Sequence, residues 1–393
     1  MEVKPGYKQT EVGVIPEDWQ VKQLRALVSY TNGKAHEQSI TDYGRYVVVN
    51  SKFISTEGEI RKYSDHCYCP TLAGDVLMVM SDVPNGRAIA KCFWVDKDHT
   101  YTVNQRICAL RPRQIDGKLL FYKLDRNPFY LAFDDGVKQT NLRKDDVLSC
   151  PLGIPKSGDE QRAIAGALGD VDALLGEMDN LIAKKRDLKQ AAMQQLLTGE
   201  KRLPGFSGEW RRKRLGDIAH INMGQSPDSR YYNRVGQGIP LIQGNADIEN
   251  YRSIRRVWTT QVTKRCDDGD LLLTVRAPVG AVGRASMPSC IGRGVCSLKP
   301  NGVEQLFLFH ALVFAEPSWK ILEQGSTFTA ANSDQVAAFS LLFAPSTPEQ
   351  TAIAGVLSDM DAEIEGLEQR LAKTRALKQG MMQELLTGRV RLI

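Results

Sequence analysis

The chain has 393 residues, 42% of them hydrophobic and 25% charged, with a formal net charge of +5. That is room for two or three domains, each with its own core, and it excludes a small disulfide-stapled scaffold. No apolar run approaches the ~20 residues of a membrane helix, and Met1-Glu2-Val3-Lys4-Pro5 lacks a signal-peptide pattern, so a cytoplasmic protein without membrane partners is expected.

Residues 1–155 read as a globular half. Ile15-Pro16-Glu17-Asp18-Trp19 leads to Leu24, Gly74-Asp75-Val76-Leu77-Met78-Val79 reads as a turn entering a buried strand, and Ile107-Cys108-Ala109-Leu110-Arg111-Pro112 follows. Residues 156–200 then change period. Ile164, Leu168, Val171, Leu175, Met178 and Ile182 alternate four- and three-residue steps, the seam of a long helix meeting a partner helix.

Residues 201–345 repeat the globular half loosely. Trp210 leads to Leu215, Gly269-Asp270-Leu271-Leu272-Leu273-Thr274 repeats the strand entry, and Val295-Cys296-Ser297-Leu298-Lys299-Pro300 repeats the later strand. Residues 346–393 repeat the helix closely: Glu160-Gln161-Arg162-Ala163-Ile164-Ala165-Gly166 returns as Glu349-Gln350-Thr351-Ala352-Ile353-Ala354-Gly355. The second seam is Ile353, Leu357, Met360, Ile364, Leu367 and Leu371. Each helix is the nearest available partner for the other, and a pair of roughly forty residues would be about 60 Å long. Gly199 and Gly388, ending two Leu-Thr-Gly motifs, suit left-handed C-caps. The seams weaken at Lys185 and Lys189, and at Thr374 and Lys378, which predicts a different neighbour at that end.

Polar residues recur with the seams. Gln161, Asp170, Lys189, Gln190 and Gln194 return as Gln350, Asp359, Lys378, Gln379 and Gln383, and identical exposed chemistry predicts an identical partner at each repeat. The globular halves diverge between their fixed points instead, around Asn50-Ser51-Lys52 against Gln243-Gly244-Asn245, and around Lys138-Gln139-Thr140-Asn141 against Thr327-Phe328-Thr329-Ala330. One scaffold with two loop chemistries suits a reader of two targets. Loops rich in Gln, Asn, Arg and Lys match base edges and phosphates. The DNA-binding candidates are Lys34, Asn50, Lys52, Arg87, Gln105, Arg106, Lys138, Gln139, Asn141 and Arg143 in the first half. In the second they are Gln225, Arg230, Gln243, Asn245, Arg276, Arg284, Arg293, Thr327, Thr329 and Asn332. Positive charge also gathers at Arg211-Arg212-Lys213-Arg214, at Arg252 with Arg255-Arg256, and at Lys264-Arg265, where phosphates would be attracted.

Together the opening Tyr7-Lys8-Gln9-Thr10-Glu11-Val12-Gly13-Val14-Ile15-Pro16-Glu17-Asp18-Trp19, the paired Gly-Asp strand entries and the two helices ending in Leu-Leu-Thr-Gly resemble the specificity subunit of type I restriction-modification systems. The resemblance implies an α+β protein with two similar mixed α/β target-recognition domains. Each would be followed by a long helix, the two helices pairing as an antiparallel coiled coil with pseudo-twofold symmetry. It implies a non-catalytic subunit that reads a bipartite, asymmetric site on double-stranded DNA and docks two modification (methyltransferase) subunits, with restriction/translocase subunits as further partners. S-adenosylmethionine, ATP and Mg would act in those partners, and the chain itself would carry no cofactor. The helices would set the number of unread base pairs between the half-sites.

Rival readings find less support. Asn127-Pro128-Phe129-Tyr130 resembles the loop with which amino-methyltransferases hold a base, but the second proline is missing and no Gly-rich cofactor turn precedes it. GxxxxGK[ST], HExxH and GxSxG are absent, and His36, His66, His99, His220 and His310 are scattered. Eight cysteines form no CxxC pair, and Cys67-Tyr68-Cys69 beside His66 reads as reduced thiols, so no metal is expected. A coiled-coil DNA-binding scaffold unrelated to methylation is the alternative function.

Overall fold

A computed structural model describes residues 4–84, 86–319 and 330–392. The chain forms two compact units, Met1–Asp179 with Arg370–Ile393, and Asn180–Gln369. The units cut across both long helices, Gly158–Leu197 and Thr347–Leu385.

In the first unit a four-stranded antiparallel sheet runs in the order Val28–Asn32, Ile107–Pro112, Val76–Val79, Cys92–Trp94. Successive side chains of a strand point to opposite faces, and here both faces are covered. Val76, Met78, Cys108 and Leu110 enter the core shared with helix Gly117–Leu124 and the start of the first long helix. Leu77, Val79, Ile107 and Ala109 face a smaller core around Val47, Val49 and Phe53. Double burial is why these strands read as continuous apolar runs. Strand Tyr46–Val49 runs parallel to Tyr101–Val103, and Trp19–Gln23 pairs antiparallel with Pro151–Pro155, the segment leading into the first long helix.

The second unit repeats the plan. Its sheet orders Ala219–Met223, Val295–Pro300, Leu271–Thr274, Val282–Arg284, Arg252–Ser253 and Ile248–Glu249. Leu271, Leu273, Cys296 and Leu298 join the large core, while Leu272 and Val295 join a smaller one. Strand Arg211–Arg214 pairs antiparallel with Ser340–Phe343, so the basic run lies on the strand pair that leads into the second long helix.

Helix pairing occurs inside each unit. In the first, Asp172 meets Lys378 at 2.5 Å and Asp179 meets Arg375 at 3.1 Å; one residue number rises as the other falls, so the segments run antiparallel. In the second, Lys185 meets Glu363 at 2.6 Å and Lys189 pairs with Asp361 in the same sense. The polar end of each seam faces the other long helix, with Lys189 and Lys378 ion-paired to equivalent aspartates, and each lysine also meets a ring of its own globular unit, Lys189 at 6.0 Å from the Tyr251 centroid and Lys378 at 5.6 Å from that of Tyr122. The opening seam residues also depart from a plain coil. Ile164 and Leu168, like Ile353 and Leu357, are buried in the cores of the globular units.

The helix ends lock onto the globular parts. Gly199 and Gly388 have φ of +71° and +74°, and a Cβ on Gly388 would lie 2.6 Å from Pro16, so only glycine fits. Three residues on, Arg391 contacts both Glu160 and Asp18, and Arg202 forms a two-donor contact with Glu349 at 2.6 and 2.9 Å. Both glutamates are buried.

Candidate nucleic-acid interface

Strand polarity gathers the divergent loops. Cys108 pairs with Asn32 and Ile107 with Val79, so the segments after Asn32, before Ile107 and after Val79 share one sheet end. Six backbone bonds weld them into a rim: Gly33 N to Ile107 O, Lys34 N to Val103 O, Asn104 N to Val49 O, Ile107 N to Asn104 O, Met80 N to Arg106 O, and Leu142 N to Met80 O. The second unit makes the same six: Gly224 N to Val295 O, Gln225 N to Ile291 O, Gly292 N to Ile242 O, Val295 N to Gly292 O, Val275 N to Gly294 O, and Ala331 N to Val275 O. At the tightest crossing a Cβ on Gly33 would sit 2.0 Å from Asn104 O, and one on Gly224 would sit 2.2 Å from Gly292 O.

This frame places the side chains in register. Lys34 stands where Gln225 does, Asn50 where Gln243 does, Gln105 where Arg293 does, Ser81 where Arg276 does, Asn141 where Ala330 does, and Arg143 where Asn332 does. Exposed side chains fill most of these positions. The first rim is a connected amide network: Gln139 Nε2 donates to Ser81 Oγ at 2.8 Å, and Ser81 Oγ donates to Asn141 Oδ1 at 2.6 Å. Below it His36 is buried, one ring nitrogen on Lys34 O at 2.6 Å and the other on Thr102 Oγ1 at 2.9 Å; burial lowers its pKa, which favours the neutral ring that makes both bonds. The second rim presents two guanidiniums instead, Arg276 and Arg293.

Arg87, Lys138 and Gln139 on loops and Lys52 on helix Ser51–Ser55 border the first rim, and Asn245 and Arg230, on short helical turns, border the second; all are exposed. Several other candidates have structural duties. Asn50 Oδ1 caps helix Ser51–Ser55 through Phe53 N, Asn332 caps Ser333–Ala338 through Gln335 N, and Gln105 donates to Glu37. Arg284 lies away from the rim. It pairs with Leu271, at the opposite end of the strand from the rim, is half-buried, and holds its guanidinium 6.0 Å from the Phe309 ring centroid. Thr327 and Thr329 fall outside the described residues. Sequence reading missed Ser81; its signal was its position two residues past the Gly-Asp strand.

The recurring helix residues divide in two. Gln161 is buried, accepting from Asp116 N and donating to Pro155 O, both at 2.8 Å; Gln350 does the same with Glu304 N and Ala344 O at 2.9 Å. Their recurrence is explained by packing, and they are not available to a partner. Lys189 and Lys378 are likewise engaged in internal ion pairs. Asp170, Gln190, Gln194, Asp359, Gln379 and Gln383 remain exposed. The base-holding loop also has a structural use: Asn127 caps helix Pro128–Leu131 through Phe129 N, and Tyr130 is fully buried. Among the described residues, Cys67 is half-buried and the other seven thiols are buried.

The sequence model of the type I restriction modification DNA specificity domain matches residues 16–184 and again 207–374. A relative from Methanocaldococcus jannaschii, provisionally named the MjaX type I restriction enzyme specificity subunit, is 29% identical over 98% of this chain and 97% of its own length. The MjaIX specificity subunit of that organism is 31% identical over 40% of this chain and 39% of its own. Among solved structures, a type I restriction-modification S subunit from M. genitalium superposes with a TM-score of 0.66 at 15% identity, covering 98% of both chains. A chain from a study of type I system assembly superposes at 0.59 and 23% identity, covering 96% of this chain and 99% of its own. These likenesses extend the shared fold along nearly the whole length.

Proposed function

Since the chain belongs to the type I restriction-modification DNA specificity family, we propose that its two rims read the two unlike halves of a bipartite, asymmetric site on double-stranded DNA. The observation that carries this reading is the pair of rims: the same six backbone bonds present an amide network in one unit and guanidiniums in the other. Amides favour adenine edges and guanidiniums favour guanine edges or phosphates, so the half-sites differ. Lys and Arg on the bordering loops add affinity that weakens with salt.

The chain supplies recognition and no chemistry. Two modification subunits dock at the repeats, with Asp170, Gln190 and Gln194 on one helix and Asp359, Gln379 and Gln383 on the other as contact residues. Methyl transfer belongs to those subunits, and ATP-driven cleavage, where a motor subunit joins, belongs to that.

Single-molecule methylation sequencing tests this, comparing cells that express the chain with its neighbouring methyltransferase against cells with the methyltransferase alone. A new two-part adenine-methylated motif, of which one half changes when residues 201–345 are exchanged for those of a relative, is the expected result. Complex formation without any motif sinks the reading and favours a DNA-binding scaffold unrelated to methylation.

A further inference from the structure

Between two loops of the second rim lies a recess of about 540 Å³. Gln243, Asn245, Asp247 and Arg256 supply its polar lining, and Ala246, Ala277 and Pro278 are among its aliphatic walls. Arg256 belongs to a basic run that sequence reading assigned to phosphates. Its surroundings give it a different part. Arg256 Nη1 donates to Ala246 O at 2.9 Å and faces Asp247 Oδ1 at 3.4 Å. Asp247 is buried, its other oxygen accepts from Gln243 N at 2.8 Å, and its own N–H closes the turn onto Gly244 O at 3.0 Å. One corner of the guanidinium is thus anchored to the loop that carries Gln243 and Asn245. Nε and Nη2 have no partner among the described residues, and the side chain is half exposed.

We propose that Arg256 is a specificity-determining residue of the second target-recognition unit, reading a guanine through Nε and Nη2, with Asp247 as the residue that positions it; this rests on the DNA-reading function above. A planar fork with one corner fixed keeps two parallel donors free, the arrangement that meets guanine O6 and N7. The buried Asp247 carboxylate offsets the Arg256 charge, and Gln243 and Asn245 are neutral. A recess without net charge favours a polar, uncharged base edge over a phosphodiester. The first unit differs at this point. Val48 N bonds Lys62 O as Leu241 N bonds Val257 O, which puts Arg61 in register with Arg256, yet Arg61 donates to Gly58 O at 2.8 Å and has no carboxylate partner among the described residues.

The test is methylation sequencing of cells carrying the full chain and its methyltransferase, with the wild type, Arg256→Ala and Arg256→Lys compared. The expected result for Arg256→Ala is a motif whose first half is intact and whose second half loses its requirement for guanine at a single position, with discrimination there falling roughly 10- to 100-fold. Arg256→Lys keeps the charge but not the fork, so it relaxes the same position, and it carries the test if the alanine variant does not fold. An unchanged motif in the lysine variant overturns the assignment. So does an even loss of methylation at all sites by an assembled complex, which marks a phosphate contact. A wild type that yields no two-part motif refutes the DNA-reading function itself and is thereby distinguished from failure of Arg256.

Discussion

Position for position, the two rims share their backbone bonds and almost none of their side chains, whereas the two long helices repeat the residues that bind them within their own units. Lys34, Ser81 and Gln105 are the register equivalents of Gln225, Arg276 and Arg293, while Glu160, Gln161, Asp172 and Lys378 recur as Glu349, Gln350, Asp361 and Lys189 in the same bonds. The contrast separates two pressures. Residues that hold a helix to its globular unit are fixed by a partner inside the chain, so they repeat. The rim side chains differ, and they stand on loops held by the same six backbone bonds in each unit. Tyr122, on helix Gly117–Leu124, and His310, on helix Gln305–Phe314, fall between: Tyr122 donates to Asp172 at 2.6 Å while His310 meets Ser358 Oγ at 3.1 Å.

The clasps offer the largest way to break the symmetry. Arg202→Ala strands the fully buried Glu349 and should destabilise the second unit by about 3–5 kcal/mol while leaving the first near its wild-type protection. Hydrogen exchange resolved by unit checks it, and a uniform change across both units contradicts it.

His310 sharpens the comparison through pH. Burial pushes its pKa down to about 4, against the attraction of Asp361. The folded state holds the neutral ring, so this contribution is full above the unfolded value near 6.5 and is lost as pH falls toward 4, on the order of 3 kcal/mol in all. Denaturant titrations at several pH values should show the second unit weakening over this window, and His310→Phe should flatten that slope. A slope unaltered by the substitution assigns the effect to other groups.

At the rims, Gly33→Ala and Gly224→Ala each force a methyl into a carbonyl and should cost about 1–3 kcal/mol. Each should also blur only the half-site read by its own unit. Blurring of both halves by either variant would mean the rims are not independent readers.

The ion pairs repeated along the helices give the smallest effects. Lys189→Ala and Lys378→Ala should each cost about 1–2 kcal/mol, since the pairs are partly exposed. Double-mutant cycles with Asp361 and Asp172 should return similar couplings in the two units, and couplings of opposite sign would show that the repeat is one of sequence only.

Much of the architecture could be read before any coordinates because it rests on periodicity. The steps through Ile164, Leu168 and Met178, the Leu-Thr-Gly stops and the Gly-Asp strand entries each state a local structure, and the helix, the left-handed glycines and the strands are there, although Ile164 and Leu168 are buried in the core of the first globular unit. Loop correspondences were legible too: Asn50 against Gln243 and Asn141 against Ala330 are true register equivalents. Side-chain partners were not. Gln161, Lys189 and Arg284 look like surface residues in a linear reading, and each is engaged with groups far away in sequence or on another element.

What the sequence alone determined, then, is the duplicated plan, the helices, their caps and the places where the halves diverge, because helix and strand periods and glycine conformations are local properties of the chain. The tertiary structure decided which polar residues are consumed internally, which strand end gathers the divergent loops, and where Arg256 points. Those outcomes depend on strand order and on contacts between residues far apart in the chain, such as Arg202 with Glu349 or Asp172 with Lys378, which no local pattern encodes.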